Sequence, residues 1–329
     1  MCLDAMLNHF SLSPDIEHSP VIEFTHTSEQ YHYRAFGLSI RSTIYFPELP
    51  HLETEIESPD VTIRYAENFE SGLQDPITSH PAWQAKENAF WLRVTGVAEF
   101  LVTEGQHIYV KPDKAGDIAS IRLFILGSCI GALLMQRDYF VLHGNAIQIG
   151  QHCISIVGDS GAGKSTLCAA FFKRGYSILA DDVCAIDTNL QVLPSFPQIK
   201  LWKDSATHLD ISTHNLRKIR PNTEKFALPL HTQYQTKSLP LCGIYQLTPC
   251  DGSQQKQETL GIQKLKILHK NTYRRQYLKG LNKLIPHHQQ SANIANKIFV
   301  VEILRPRGEI QLETLIHLIE NDLHEKGMM

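Results

Sequence analysis

The stretch from Ile154 to Asp187 constrains this chain more than any other, because it contains a complete phosphate-binding loop signature. Its residues 158–165 read GDSGAGKS and match G-x-x-x-x-G-K-S/T at every fixed position. Glycines at these positions let successive backbone N–H groups point into one concavity and donate to phosphate oxygens. The residues that we predict to bind a nucleotide are Gly158, Asp159, Ser160, Gly161, Ala162, Gly163, Lys164, Ser165 and Thr166.

The segments on either side of the loop have the order that such a site requires. An apolar run at 153–157 predicts a buried strand, and good helix formers follow Gly163. The positive end of that helix dipole would face the same phosphates. Lys164 would supply a mobile charge to the β- and γ-phosphates, and Ser165 a hydroxyl for Mg²⁺. A glycine-rich turn that binds nothing is the alternative, and the strand–loop–helix order disfavours it.

Two acidic residues follow the next predicted strand, at 176–180. Asp181 and Asp182 fall where a metal-binding aspartate belongs in a phosphate-loop protein. Without the loop, a solvated turn or a helix N-cap would be the better interpretation of such a pair. His143 lies near the start of a hairpin that includes the strand before the loop. Taken alone, a histidine in an apolar strand is more often a hydrogen-bonded structural residue.

Length and charge narrow the class of protein. A chain of 329 residues is about twice the usual domain size, so two domains or one large domain with an added layer are expected. Residues 1–140 contain 9 Lys+Arg and 19 Asp+Glu, a net charge of −10, and residues 141–329 contain 22 and 15, a net charge of +7, which together give the −3 of the whole chain. The basic part contains the phosphate loop, which suits an anionic nucleotide. Because no dense basic run occurs, we expect no nucleic-acid partner.

Cysteine usage and hydropathy predict a cytoplasmic protein with reduced thiols. The seven cysteines are odd in number and form no C-x-x-C pair. The N-terminus lacks a charged segment followed by an apolar core, so no secretory signal is expected, and the first twenty residues are expected to be a loose lead-in. The longest apolar run, 123–135, is too short to span a bilayer and predicts a buried helix within 118–136. We therefore expect no membrane partner.

The remaining patterns predict an α/β protein with a small β-rich N-terminal domain, residues 1–116, and a larger catalytic domain, residues 117–329. Short β-branched and aromatic runs predict strands at 31–36, 38–45, 61–65, 90–94, 99–102 and 107–110. Further along, we predict strands at 139–149, 243–247 and 298–304, a helix over 203–219, a surface loop over 248–257, one or two helices over 262–285 and a final helix over 310–324.

Three sequence pieces, in this order and spacing, resemble a known superfamily. They are LHG at 142–144, the loop GDSGAGKST at 158–166, and KRGY followed by LADD at 173–182. Together they resemble the HPr kinase/phosphorylase superfamily, and within it the HPr-kinase-like proteins of lasso-peptide biosynthetic clusters. Weaker similarity to the latter covers YRAFGLSI at 33–40 through PEL at 47–49, and LRPR at 304–307.

The resemblance implies a phosphoenolpyruvate-carboxykinase-like α/β fold and an ATP- and Mg²⁺-dependent serine kinase that acts on a peptide or small protein. Its peptide-cluster members phosphorylate the C-terminal serine of a precursor peptide. By the same resemblance, Asp181 would be the base for the acceptor hydroxyl, and Asp182 with Ser165 would hold Mg²⁺, although the order of the two carboxylates could be swapped. His143 would lie beside them and the γ-phosphate, with Lys164 as the catalytic cation.

Several alternatives stay open at this point. HPr kinases proper carry Glu after the loop serine, where this chain has Thr166, so HPr itself is not the expected acceptor, although an HPr-type regulatory kinase remains an alternative. Another P-loop NTPase or small-molecule kinase, or a non-catalytic nucleotide-sensing module, would use the same loop. The acceptor, the choice between ATP and GTP, and the oligomeric state, a homo-oligomer included, are open as well. The cations that could contact phosphates or the acceptor are Lys200, Lys225, Arg274, Arg275, Arg305 and Arg307.

Overall fold

The computed structural model describes residues 29–66, 69–308 and 311–329. Over these residues the chain is a mixed α/β protein whose strands form sheets of eight, nine and three strands. The lead-in predicted for the first twenty residues lies outside the described part. Three clusters of buried apolar side chains hold the sheets and helices together.

The first sheet contains the strands of the N-terminal part. Its strands are β1 Tyr31–Ala35, β2 Leu38–Ser42, β3 Val61–Tyr65, β4 Thr78–His80, β5 Trp83–Lys86, β6 Ala89–Val94, β7 Ala98–Thr103 and β8 His107–Pro112. They lie in the order β1-β2-β3-β8-β7-β6-β5-β4. Six of the eight strands were predicted from their apolar and aromatic alternation. The pattern missed β4 and β5, because β4 is a three-residue polar strand and β5 has only two buried side chains.

A long apolar helix, α1 Ile118–Gln136, packs against this sheet. Its middle turn, Ile125–Cys129, is a π-helical segment. By length and composition alone α1 could cross a membrane, but 83% of its most apolar window is buried inside the protein. The prediction of a buried helix is therefore confirmed. The same core cluster also contains Val183 and Tyr273, so the first sheet and α1 pack directly against the segments that follow the phosphate loop.

The second sheet is the central one. Its strands are β9 Phe140–Leu142, β10 Gly144–Ile149, β11 His152–Gly158, β12 Ile178–Ala180, β13 Cys184–Ile186, β14 Gln191–Leu193, β18 Leu239–Cys250, β19 Gln255–Glu258 and β20 Phe299–Pro306. Seven of them follow the order β12-β10-β11-β18-β14-β13-β9, and β20 pairs with β18 and β19. The strand before the phosphate loop, β11, is parallel to β18 and antiparallel to β10.

A third, small sheet and six more helices complete the described fold. The strands β15 Gln198–Trp202, β16 Arg217–Lys218 and β17 Lys225–Pro229 pair antiparallel in the order β15-β17-β16. The helices are α2 Lys164–Lys173, α3 Lys203–His208, α4 Ile262–Lys270, α5 Tyr277–Gly280, α6 Leu284–Lys297 and α7 Leu312–Glu325, with a 3-10 turn at His231–Gln233.

Four predicted elements differ in the structure. The single strand over 139–149 is broken at His143, whose N–H donates to the carbonyl of Asn271 at 2.7 Å, outside the strand ladder. The helix over 203–219 ends at His208, because Asp210 turns the chain with φ +52°, and Arg217–Lys218 further on pair as β16. The loop predicted over 248–257 is confined to residues 251–254, because 248–250 are the end of β18 and 255–257 belong to β19. The helical region continues past 285 as α6. Pairing with β20, far along the chain, gives the 248–257 segment its strand structure.

Candidate active site at one edge of the central sheet

Three chain segments meet at one edge of the central sheet. Gly144, the first residue of β10, lies opposite Val157 near the end of β11. Ala146 lies opposite Ala180, the last residue of β12, so β11 and β12 both run toward this edge. His143, the phosphate loop and the Asp181–Asp182 pair therefore come together, as the carboxyl ends of neighbouring strands do in α/β ligand sites.

The phosphate loop has the backbone conformation that its glycines predict. Gly158, Gly161 and Gly163 have φ values of +146°, +81° and +98°, which side chains rarely allow. A Cβ on Gly158 would also lie 2.6 Å from the carbonyl oxygen of Leu247 on β18. Arg305 supports the loop from β20, because its Nε donates to the Ala162 carbonyl at 2.9 Å.

Lys164 is nearly buried at the mouth of the loop, with 8% of its surface exposed. Its Nζ donates to the carbonyl of Gly158 at 2.8 Å and to that of Asp159 at 3.2 Å. Burial lowers the pKa of the Lys164 ammonium, against the opposing pull of the Asp182 and Asp181 carboxylates. The side chain is thus a desolvated cation held over the loop, the position from which it would contact phosphate oxygens.

Asp181 is the buried carboxylate of the pair, 3% exposed. Its Oδ1 accepts from the Ser165 hydroxyl at 3.1 Å and from the side-chain amide of Asn145, and its Oδ2 accepts from the Lys200 backbone N–H at 2.7 Å. Burial, with the charge of Asp182 beside it, raises the pKa of the Asp181 carboxyl. The Ser165–Asp181 contact joins the phosphate loop to the acidic pair.

Asp182 points to other partners, because its φ of +75° turns the chain directly after Asp181. Its Oδ2 accepts from the Lys200 ammonium at 2.9 Å, and its Oδ1 lies 3.2 Å from His143 Nδ1. Burial acts to raise the pKa of this carboxyl, but Lys200 and His143 outweigh that effect and hold it well below its usual range. One quarter of the Asp182 side chain stays exposed, so an ionised carboxylate faces the solvent side of the site.

Lys200 on β15 contacts both carboxylates, and the sequence did not indicate this. Its backbone N–H binds Asp181 and its ammonium, 4% exposed, binds Asp182. Burial acts to lower the pKa of Lys200, but the Asp182 carboxylate raises it above the ordinary value. We expected Lys200 to be a cation for the phosphates or the acceptor, whereas the structure places it as the counter-ion of Asp182.

The other predicted cations lie in different surroundings. Arg274 packs against the ring of Tyr273, and Arg305 donates to the Ala162 carbonyl of the phosphate loop. Arg307 pairs with Asp251 at the surface, and Arg275 is exposed. Lys225, half-buried on β17, makes no ion pair within the described part of the chain, and its ammonium lies 5.6 Å from the centre of the Trp202 ring. The charge of Lys225 acts electrostatically on the Asp181 and Asp182 carboxylates.

Sequence reasoning missed two further contacts at the site. Asn145, two residues after His143, donates to Asp181, and a buried amide in an apolar strand was the signal that could have found it. Ser205 on α3 accepts a hydrogen bond from the Thr166 hydroxyl at 2.9 Å, which ties α3 to the first turn of α2. Nothing in the local sequence links these two segments.

The oxygen donors at the loop suit a magnesium ion. Within the described ranges no group of three or more His, Cys, Asp and Glu side chains could hold a metal. Magnesium does not require one, because it is commonly bound by one or two carboxylates together with substrate phosphates and water. Ser165 and Asp181, whose oxygens are 3.1 Å apart, have the right donor chemistry for such a site.

Comparison with known proteins finds similarity among solved structures. No protein family model matches the chain, and no curated protein does. Among solved structures, the chain is similar to the Hpr(Ser) kinase/phosphatase from Coxiella burnetii, with 14% sequence identity, a TM-score of 0.30, and coverage of 57% of this chain and 99% of that chain. Because the identity and TM-score are low, the function proposed below rests on the geometry of the site.

Proposed function

We propose that this chain is an ATP- and Mg²⁺-dependent serine kinase of the HPr-kinase-like type, which transfers the γ-phosphoryl group to a serine hydroxyl of a peptide or small protein. The proposal includes a phosphoenolpyruvate-carboxykinase-like catalytic domain over 117–329 and a β-rich N-terminal domain over 1–116. The finer proposal is that the acceptor is the C-terminal serine of a lasso-peptide precursor.

The contact between Ser165 and Asp181 carries the proposal. Their oxygens are 3.1 Å apart, which places a carboxylate beside the last turn of the phosphate loop. Phosphoryl transfer requires mainly that the phosphate oxygens be positioned and neutralised. Loop amides, a buried Lys164 and an acidic pair at one sheet edge supply these functions together.

The contacts favour Asp181 as the metal ligand and Asp182 as the residue that binds the acceptor hydroxyl, which reverses the roles expected from the sequence. Asp181 touches the loop serine and is closed in by three donors, which suits a metal ligand next to Ser165. Magnesium bound there would neutralise charge on the β- and γ-phosphate oxygens. Asp182 is partly exposed and ionised, so it would accept a hydrogen bond from the acceptor hydroxyl and orient it. His143, bound to Asp182, would fix the orientation of that carboxylate.

Recognition of a terminal serine needs a cation beside the reacting hydroxyl, because the acceptor carries its own carboxylate. Lys200 is engaged by Asp182, and Arg274 packs on Tyr273. Lys225 acts electrostatically on both Asp181 and Asp182 and makes no ion pair in the described part of the chain. We therefore assign the acceptor carboxylate to Lys225.

The experiment is a mass-shift or radiolabel assay with three acceptors at matched concentrations: a peptide that ends in a free-acid serine, the same peptide as its C-terminal amide, and HPr. We expect the acid to be phosphorylated much faster than the amide. Lys164→Ala, the inactive control, should lower the rate a hundredfold or more, as the loss of a transition-state contact worth roughly 3 to 4 kcal/mol requires.

Each contrary outcome has a distinct meaning. Equal rates for the acid and the amide would remove terminal-carboxylate recognition, and transfer to HPr alone would favour a regulatory protein kinase. ATP hydrolysis that ignores every acceptor would indicate a P-loop NTPase. Tight nucleotide binding without turnover would indicate a sensing module, and near-normal turnover by Lys164→Ala would remove the phosphate loop from the mechanism.

A further inference from the structure

One of the three tryptophans differs from the other two in its exposure. Trp83 and Trp91 are core residues of the first sheet, each 5% exposed, whereas Trp202 at the end of β15 is 56% exposed. A single exposed apolar side chain needs no explanation by itself. Trp202, however, lies beside the phosphate loop, where a bound nucleotide could contact it.

Trp202 shares a face of the small sheet with two lysines. Lys200 and Trp202 are two residues apart on β15, so their side chains project from the same face. Lys225 on β17 lies directly opposite Trp202 in the register, and its ammonium lies 5.6 Å from the ring centre. Lys200 reaches Asp182 from this face. The face therefore begins at the carboxylate pair and ends in an exposed aromatic ring.

Two further observations place this face beside the phosphate loop. The positive charge of Lys225 acts electrostatically on Lys164, Asp181 and Asp182. Three residues beyond Trp202, Ser205 accepts the hydrogen bond from Thr166, in the first turn of the helix whose N-terminus faces the phosphate site. The ring is thus held next to the loop by contacts on both sides of it in the sequence.

We propose that Trp202 is the nucleobase-binding residue of the site: the base of a nucleotide whose phosphates lie in the loop stacks on the indole face opposite Lys225. The inference rests on the proposed binding of a nucleotide, but not on any acceptor. Stacking on an indole rewards the size of the base and does not read its hydrogen-bonding edge. The site would therefore take ATP and GTP with similar affinity and bind CTP and UTP less tightly.

Intrinsic fluorescence can test this in the whole protein, because the two other tryptophans are buried. Mg-ATP should change the emission of the exposed Trp202, and Mg-tripolyphosphate, which has no base, should bind without that change. Calorimetry on Trp202→Ala should show ATP binding weakened about five- to a hundredfold, in line with the usual contribution of base–aromatic stacking. Tripolyphosphate affinity should stay within about twofold, and Trp202→Phe should keep most of the ATP affinity.

Tyr45→Ala is the matched control, since Tyr45 is also about half exposed but belongs to the first sheet region. It should leave both ligands unaffected. If wild type binds neither ATP nor tripolyphosphate, the proposed nucleotide site itself fails. If wild type binds both equally and Trp202→Ala changes neither, or if the variant weakens only the peptide acceptor, the assignment of Trp202 is overturned while the kinase proposal stands.

Discussion

Replacing Lys200 by Met tests how the acidic pair is held. The side chain of Lys200 is 4% exposed and that of Asp182 is 25% exposed, with 2.9 Å between nitrogen and oxygen. At an effective dielectric near 20 such a pair attracts by about 6 kcal/mol, but the burial of an ammonium offsets most of that. Removing one partner of a fully buried pair costs about 3 to 5 kcal/mol. Since water reaches Asp182 and His143 still contacts it, we expect unfolding to become easier by about 2 kcal/mol.

The catalytic effect should exceed the effect on stability. Without the ammonium, Asp182 loses the contact that fixes its orientation, and a misplacement of about 1 Å can cost a hundredfold in rate. We therefore expect kcat of Lys200→Met to fall about a hundredfold, with KM for ATP changed only a few-fold, because in the proposed complex the phosphates contact the loop. Lys200→Met keeps the backbone N–H that binds Asp181, so the variant removes only the contacts of the side chain.

A pH profile separates this role from simple structural damage. Lys200 holds the pKa of Asp182 low, so in wild type the charge of Asp182 is lost only as the pH falls below the usual carboxyl range. In Lys200→Met that pKa rises, and the acid limb of the kcat profile should move to higher pH. Lys200→Arg should restore part of the rate, and Lys203→Met, at an exposed ion pair with Glu224, should change nothing. An unchanged kcat and an unchanged profile in Lys200→Met would refute the reasoning.

Two further predictions concern the carboxylates and a buried histidine. Asp181→Asn should raise the Mg²⁺ concentration needed for half-maximal activity. Asp182→Asn, whose asparagine tolerates the positive φ at 182, should lower kcat at an unchanged Mg²⁺ requirement. The reverse pattern in Mg²⁺ titrations would make Asp182 the metal ligand and Asp181 the base. Burial, with His269 and His288 nearby, lowers the pKa of His287 to about 4, so the unfolded chain binds its proton first as the pH drops. The free energy of unfolding, measured with urea, should therefore fall by about 2 kcal/mol between pH 7 and 5, and His287→Gln should largely remove that fall. Equal falls in both proteins would contradict the assignment.

Local sequence was sufficient for the phosphate loop and its strand and helix. The positions of Gly158 and Gly163 require backbone conformations that other residues resist, so the motif predicts its own shape. The apolar helix α1 and six strands of the first sheet were predicted for a similar reason, because their periodicity reflects the face that each element buries. The adjacency of His143, the loop and the Asp181–Asp182 pair was implied by the resemblance of the three sequence pieces, and the structure places them at one sheet edge.

The tertiary structure alone decided which side chains surround the two carboxylates. Asn145 reaches Asp181 because β10 pairs with β12, and Lys200 reaches it from the separate small sheet. Both residues are distant from Asp181 in the sequence, so no local pattern indicates these contacts. Tertiary structure also decided two other features. The segment β19 is a strand because it pairs with β20, and Trp202 lies next to Lys225 because β15 pairs with β17 in the small sheet. The periodicity of a segment shows which of its faces is buried and which is exposed to solvent. Contacts between distant segments depend instead on the order of strands in the sheets, which only the folded chain determines.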